Sequence, residues 1–205
     1  MTSPGLSARV LLLACVALAG CVTVDAVLSP DGSATVDMTY QLPPDVQEAQ
    51  EKARHTSAHV AVESLKFSAD RETATLKAKV DDVTKLSTAE GFKDVTVTRS
   101  REGADERLTI TITNRRTIVM KGEGQPGPTL TITFPGAVKD ANRGGTVRNN
   151  KVTWSFTLPE FVKEKSVELT ARYAAPAEQK DAPKDTGERK DSKTKGDSKA
   201  APTRK

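Results

Sequence analysis

The chain has 205 residues, of which 36% are hydrophobic and 4% aromatic, and its formal net charge is +4 at pH 7. The excess positive charge lies at the two ends, because residues 21–175 contain 21 basic and 21 acidic side chains. A neutral middle with few aromatic residues does not favour nucleic acid as a partner. No apolar run reaches the ~20 residues that a membrane-spanning helix needs. Two Cys and two His are too few for a Cys/His metal cluster or a disulfide scaffold. We therefore predict no nucleic-acid partner, no metal site and no cofactor.

The amino terminus has the pattern of a signal peptide that ends at a cysteine. The first nine residues are polar with one positive charge, Arg9; residues 10–18 are apolar; and Leu-Ala-Gly-Cys follows at 18–21. A positive start, a short apolar run and small residues before the cleavage point are typical of a secretory signal peptide. We predict a lipoprotein signal peptide over residues 1–20.

Leu-Ala-Gly-Cys resembles the bacterial lipobox, in which the cysteine thiol receives a diacylglyceryl group and the amino group freed by cleavage is acylated. One acyl chain holds a protein only marginally at a membrane, whereas two or three anchor it stably. We predict Cys21 as the lipidation site of an exported, membrane-anchored protein. Val22 follows the cysteine, where an Asp is associated with inner-membrane retention in Gram-negative bacteria. We therefore expect the outer membrane in a Gram-negative cell, and otherwise the outer leaflet of the cytoplasmic membrane.

Strict alternation of apolar and polar residues dominates the chain from Val22 to Tyr173. Two alternating runs joined by Pro30-Asp31-Gly32 predict a first β-hairpin. A second hairpin is predicted where the stretch 99–107 connects two further runs. The remaining runs lie at 74–80, 130–134, 152–158 and 167–173. Each of these roughly eight strands has one apolar face and one Thr-rich face, which is typical of an antiparallel sheet with one covered side.

Two helices are predicted to cover the apolar face. Residues 46–62 follow a Pro-Pro-Asp start and form the first; residues 82–90 form the second, with Gly91 ending it. The first would carry His55 and His59 on one face, but two ligands do not make a zinc site, and we expect both to be exposed. The predicted fold class is α+β: a mainly antiparallel β-sheet of about eight strands, with one or two short helices packed on one face.

The chain divides into three parts. Residues 21–175 are long enough for one hydrophobic core and are predicted to form a single domain, with a mobile loop over 115–127. After Tyr173 there is no Leu, Ile, Val, Phe, Met or Trp, so residues 176–205 are predicted to be a disordered charged tail. The chain shows no Gly-x-Ser-x-Gly elbow or glycine-rich phosphate loop followed by a helix, and we name no catalytic residue.

In its layout the chain resembles the LppM-type bacterial lipoproteins. The resemblance covers roughly residues 18–173: a lipobox, Cys-Val-Thr-Val-Asp-Ala-Val-Leu running into a Pro-Asp-Gly turn, a helix, hairpins, a Thr133-Phe134-Pro135-Gly136 segment and a closing strand with Trp154. Many relatives continue into a carboxyl-terminal hydrophobic segment, whereas this chain ends in a charged tail. The resemblance implies an α+β domain tethered to a membrane that binds envelope lipids or glycolipids.

Three functions are compatible with these patterns. The first is a non-catalytic, lipid-anchored module of the cell envelope that binds lipid or glycolipid. An apolar groove would then be lined by aromatic residues, Phe134, Trp154, Phe156 and Tyr173; the alternative for these residues is ordinary core filling. The second is a scaffold lipoprotein that pairs with another envelope protein, and the third is an envelope enzyme. We expect the first.

Overall fold

The computed structural model describes residues 22–43, 45–114 and 126–175. The predicted signal peptide (1–20), the predicted lipidation site Cys21 and the predicted disordered tail (176–205) lie outside the described residues. Most of the loop predicted over 115–127 also lies outside them. The single domain predicted over 21–175 otherwise corresponds to the described part of the chain.

Within the described residues, eleven strands form two β-sheets. In chain order they are β1 Thr23–Leu28, β2 Ala34–Gln41, β3 Val60–Phe67, β4 Thr73–Val80, β5 Val95–Glu102, β6 Asp105–Thr113, β7 Pro126–Thr133, β8 Val138–Ala141, β9 Thr146–Arg148, β10 Lys151–Thr157 and β11 Ser166–Ala174. The first sheet has the order β3-β4-β2-β1-β7-β10-β9, and the second has the order β5-β6-β11-β8. All neighbouring pairs are antiparallel except β1 with β7. The predicted class, α+β with mainly antiparallel sheet, is confirmed, with eleven strands in place of about eight.

The strands predicted from alternation are confirmed. β1 and β2 form the first hairpin, closed where Leu28 pairs with Ala34, and Gly32 has the positive φ of 92° that such a turn favours. β5 and β6 form the second hairpin, closed where Glu102 pairs with Asp105. β3, β8 and β9 were not predicted.

The helix predicted over residues 46–62 is wrong in its second half. The helix α1 spans only Glu48–Arg54, and the chain enters β3 at Val60. From Val60 onward the chain pairs with β4, from Val60 opposite Val80 to Phe67 opposite Ala74, with a break in register between Val62 and Ser64. The predicted helix has few apolar residues on its inward face. Val60 and Leu65 are buried on a strand that pairs with β4, and this tertiary pairing overrides the weak local preference for a helix.

The second predicted helix is a pair of 3₁₀ turns, Val83–Thr88 and Glu90–Phe92, here called the 3₁₀ segment. Gly91 lies inside the second turn and does not end a helix. A short helix that was not predicted, α2 (Leu158–Lys163), begins with a capping box between Thr157 and Glu160. Pro126 and Gly127, placed in a loop by the sequence, belong to β7. None of the helices in the described residues is long and apolar enough to cross a membrane.

The two sheets pack face to face. One core cluster joins buried residues of the first sheet, including Ile132, Val152 and Trp154, to buried residues of the second, including Val167 and Leu169. The second sheet therefore covers part of the apolar face of the first sheet, in the manner of a β-sandwich. A second core cluster lies on β2, β3 and β4, and there the 3₁₀ segment, through Phe92, completes the core in place of the second sheet.

Candidate functional site

A cavity of about 310 Å³ lies between the two sheets. Inward-facing residues of β2, β1 and β7 form one wall, and those of β5 and β6 form the other. Most are aliphatic, among them Val24, Ala26, Met38, Val95, Ile110 and Leu130. Val83 and Leu86 of the 3₁₀ segment line one side, and Phe161 and Val162 of α2 line another. The volume lies at the lower end of the range for ligand pockets, ~300–1,000 Å³.

The cavity is accessible to solvent. β1 is the central strand of the first sheet, and inward side chains of central strands are ordinarily sealed inside a close-packed core. Val24 and Ala26 on β1 are nevertheless only half-buried, as are Met38 on β2 and Leu130 on β7. Because all four line the cavity, we attribute their remaining exposure to it. The space is thus an open hollow and not a packed core.

Within the described residues, polar residues line one end of the cavity only. This end, here called the mouth, is where β1 and β7 begin and β2 ends, since Thr23 pairs with both Thr39 and Thr129. The polar lining residues are Gln41, Arg54, His55, Lys93, Asp94, Thr113, Asn114 and Thr129. Lining residues at the opposite, closed end, such as Leu28, Val97 and Leu108, are apolar and buried. The cavity therefore has a polar mouth and an apolar interior.

A buried carboxylate holds helix α1 at the mouth. Glu51 is 2% exposed; its Oε1 accepts hydrogen bonds from the Tyr40 hydroxyl at 2.7 Å and from Arg54 Nη1 at 3.3 Å. Burial, and secondly the hydrogen bond to Glu51, raise the pKa of Tyr40 far above its ordinary value, so the phenol remains a donor. A buried charge that is paired and hydrogen-bonded in this way fixes the position of its partners. Arg54 is thereby placed at the mouth.

His55 belongs to the same buried group, and the exposed position predicted for it is wrong. The residue is 2% exposed, its Nδ1 donates to the Glu51 carbonyl at 3.0 Å, and its ring packs on Tyr40 and Phe92. Burial lowers the pKa of His55 below its ordinary value, so the ring is neutral at pH 7. Gly91 leaves the space that the imidazole fills, since a Cβ there would lie 2.3 Å from His55 Cδ2.

His59 lies outside α1, and its Nδ1 is 3.0 Å from Asp81 Oδ1. The two histidines therefore have different partners, because the helix predicted to carry both ends at Arg54. Across residues 22–43, 45–114 and 126–175, no three His, Cys, Asp or Glu side chains come together in a way that could hold a metal ion.

Beyond the closed end, a charged pair ties the first hairpin to the second sheet. Arg99 Nη2 donates to Glu106 Oε2 at 2.7 Å and to the Pro30 carbonyl at 3.2 Å. The Tyr173 hydroxyl donates to the same Glu106 oxygen at 2.5 Å. Burial disfavours the Glu106 carboxylate, but the hydrogen bonds from Tyr173 and Arg99 outweigh it and hold its pKa below the ordinary value. This network fastens the two sheets together at the end away from the mouth.

The four aromatic residues predicted to line a groove do not line this cavity. Phe134, Trp154 and Tyr173 are at most 1% exposed and pack in the core, where the rings of Phe134 and Tyr173 lie 4.8 Å apart. Trp154 Nε1 donates to the Asn142 carbonyl at 3.0 Å. Phe156 is half-buried against Phe161. The predicted groove and the observed cavity differ because large rings fill the space between the sheets, whereas the strands around the cavity carry smaller, mostly aliphatic side chains.

Comparison with known proteins gives a likeness to a solved structure. No family model matches the sequence, and no curated protein matches it. Among solved structures, the NMR structure of the folded domain of LppM from Mycobacterium tuberculosis is similar, with a TM-score of 0.47 and 18% sequence identity. The match covers 77% of this chain and 91% of that domain. The cavity and its mouth, and not this likeness, are the basis for the function proposed below.

Proposed function

We propose that this chain is a lipid-anchored lipoprotein of the bacterial cell envelope that binds an acyl chain of an envelope lipid or glycolipid between its sheets. The observation that carries the proposal is the polarity of the cavity, which is apolar along its length and polar at the mouth. An amphipathic ligand matches this arrangement, because its chain can occupy the interior while its polar group stays at the mouth.

The interior favours a long chain over a small polar metabolite. Each methylene transferred from water into an apolar site contributes ~0.8 kcal/mol. Association itself costs at least about 4 kcal/mol, so a ligand needs several buried methylenes before binding becomes favourable. The interior wall consists of Val, Leu, Ile, Ala, Met and Phe side chains, which offer contact with methylenes and no hydrogen bonds. A fatty acyl chain satisfies these conditions.

The placement of charge supports binding without catalysis. Among the described residues that line the cavity, the ionisable ones are Tyr40, Arg54, His55, Lys93 and Asp94, and all lie at the mouth. Arg54 is paired with Glu51, and Lys93 with Glu90. General acid–base catalysis needs a titratable group within reach of the reacting atoms, and the aliphatic interior offers none. We therefore propose a binding protein and not an enzyme.

The proposed location follows from the predicted signal peptide and the predicted lipidation of Cys21. Lipidation would attach the domain to the outer membrane in a Gram-negative cell, and otherwise to the outer leaflet of the cytoplasmic membrane. The membrane would then supply both the anchor site and the ligand. A protein partner in the envelope would be additional to this role, and crosslinking in cells that captures one protein and no lipid would favour the scaffold function instead.

Native mass spectrometry tests lipid binding directly. The chain from Val22 onward, incubated with vesicles made from bacterial envelope lipids and then separated from them, is expected to carry one lipid per molecule. The adduct should disappear when the protein is unfolded, because the cavity exists only between the packed sheets. A folded protein that remains free of lipid after saturating incubation would contradict the proposal.

A further inference from the structure

The first residue of the fold lies in the wall of the cavity. Val22 is 6% exposed, lines the cavity and accepts a hydrogen bond at its carbonyl from the Thr129 amide at 2.8 Å. The next residue, Thr23, starts β1 between β2 and β7. The amino-terminal end of the domain is therefore fixed in the sheet and placed at the mouth.

The predicted lipidation site immediately precedes this residue. Consecutive Cα atoms are 3.8 Å apart, so Cys21 directly precedes the fixed Val22 with no spacer between the predicted anchor and the domain. Other residues at the same end include Gln41 at the end of β2, Thr113 at the end of β6 and Pro128 in β7, all of which line the cavity. An acylated Cys21 would hold this rim against the bilayer surface.

We propose that the mouth faces the membrane that carries the anchor, and that a lipid acyl chain passes directly from that bilayer into the cavity. The inference rests on the proposed function and adds the source of the ligand and its route. The polar lining residues Gln41, Arg54 and Lys93 would lie at the level of the lipid headgroups. The apolar interior would continue the hydrocarbon layer into the protein.

Direct passage has an energetic advantage over uptake from solution. Exposing an acyl chain to water costs ~0.8 kcal/mol per methylene, a cost that a lipid pays if it leaves the bilayer before binding. A mouth in contact with the surface removes this step, because the chain moves from one apolar environment to another. Binding then has to offset only the difference in the free energy of the acyl chain between the bilayer and the cavity.

A spacer inserted between Cys21 and Val22 tests the orientation. Twenty Gly and Ser residues have a root-mean-square span of about 25 Å, enough to lift the mouth off the surface while leaving the anchor and the fold unchanged. The matched control carries the same insertion between Pro176 and Ala177. The full-length lipoproteins are reconstituted in vesicles of phosphatidylcholine and phosphatidylglycerol that contain a phosphatidylcholine with a diazirine in its acyl chain.

The expected result is a fall of about tenfold in the initial rate of photocrosslinking to β1 and β6 in the spacer variant, because the effective concentration of the bilayer at the mouth falls. The control insertion should leave the rate unchanged. Equal rates in all three proteins would overturn the inference.

A water-soluble fluorescent acyl probe separates this inference from the proposed function. The probe reaches the mouth from solution, so it should bind equally to the unmodified, spacer and control proteins. Equal probe binding together with equal crosslinking rates would contradict the proposed orientation of the mouth, while the proposed binding of an acyl chain would still stand. A probe that binds none of the three would overturn both.

Discussion

Replacement of Ala26 by phenylalanine is expected to lower the affinity for an acyl ligand at least about tenfold, which corresponds to about 1.4 kcal/mol. Ala26 lies at the middle of β1, pairs with Val36 and Ile132 in the neighbouring strands, and lines the cavity. An aromatic ring at this position would occupy the space that the chain needs. Titration with a fluorescent acyl probe measures the effect.

The matched control is Val27→Phe. Val27 is the next residue of the same strand, points to the opposite face and is 52% exposed, so the substitution adds a ring without entering the cavity. Its affinity should equal that of the unmodified protein. If Ala26→Phe folds, as judged by circular dichroism, and binds the probe as tightly as Val27→Phe, then the acyl chain does not occupy the inter-sheet cavity.

Replacement of Trp154 by alanine is expected to lower the free energy of unfolding by about 3–5 kcal/mol, the usual cost of removing a large buried aromatic side chain. Trp154 is 1% exposed, belongs to the core cluster that joins the sheets, and donates its indole N–H to the Asn142 carbonyl. The variant would leave a void and remove one of the two hydrogen bonds that the Asn142 carbonyl accepts, the other coming from the Gly145 amide at 3.0 Å. Urea unfolding followed by circular dichroism measures the loss. Tryptophan fluorescence is unsuitable, because Trp154 is the one tryptophan of the chain and the variant lacks it.

Two further variants keep this prediction interpretable if Trp154→Ala does not fold. Trp154→Phe retains much of the volume and loses the N–H donor, so its cost should be smaller. Val147→Ala, at a 38% exposed position on the neighbouring strand β9, should change the free energy of unfolding by less than about 0.5 kcal/mol. A loss of unfolding free energy below about 1 kcal/mol for Trp154→Ala, combined with loss of probe binding, would contradict the core role. Trp154 would then contact the ligand, as the sequence predicted.

The spacing of apolar residues was sufficient to predict most strands. It was insufficient where the same residues fit both a helical and a strand period. In β6 the apolar side chains Leu108, Ile110 and Ile112 alternate with threonines, and a period of two has only one structural interpretation. The stretch 46–62 begins as a helix and ends as a strand, and Val60 fits the helical stripe as well as the alternation. The choice depends on the pairing of β3 with β4, which is a contact between distant parts of the chain.

The cavity could not be predicted because alternation identifies the inward face of a strand but not the strand it meets. β1, β5, β6 and β7 contain no aromatic residue, and the structure brings all four strands around one space. Three of the four aromatic residues predicted to line a groove, Phe134, Trp154 and Tyr173, fill the core elsewhere between the sheets. We predicted large aromatic rings as the ligand contacts, whereas the strands around the cavity contribute mostly small and aliphatic side chains such as Ala26.

The buried group at the mouth was also inaccessible from the sequence. Glu51 and His55 are four residues apart on and just after α1, a spacing that equally describes an exposed helical face. Their burial depends on Tyr40 of β2 and Phe92 of the 3₁₀ segment, which are distant in sequence. Gly91, next to Phe92, is the one local sign that a side chain from elsewhere must be accommodated there.

The most direct test of the central claim is to locate a bound acyl chain by NMR. Isotope-filtered nuclear Overhauser effects are measured between an unlabelled long-chain fatty acid and ¹³C-labelled methyl groups of the protein. We expect contacts from the acyl methylenes to Met38, Ile110 and Leu130, which line the cavity, and none to the exposed Val27 and Val147. Contacts confined to the exposed valines, or no contacts at saturating fatty acid, would contradict the claim.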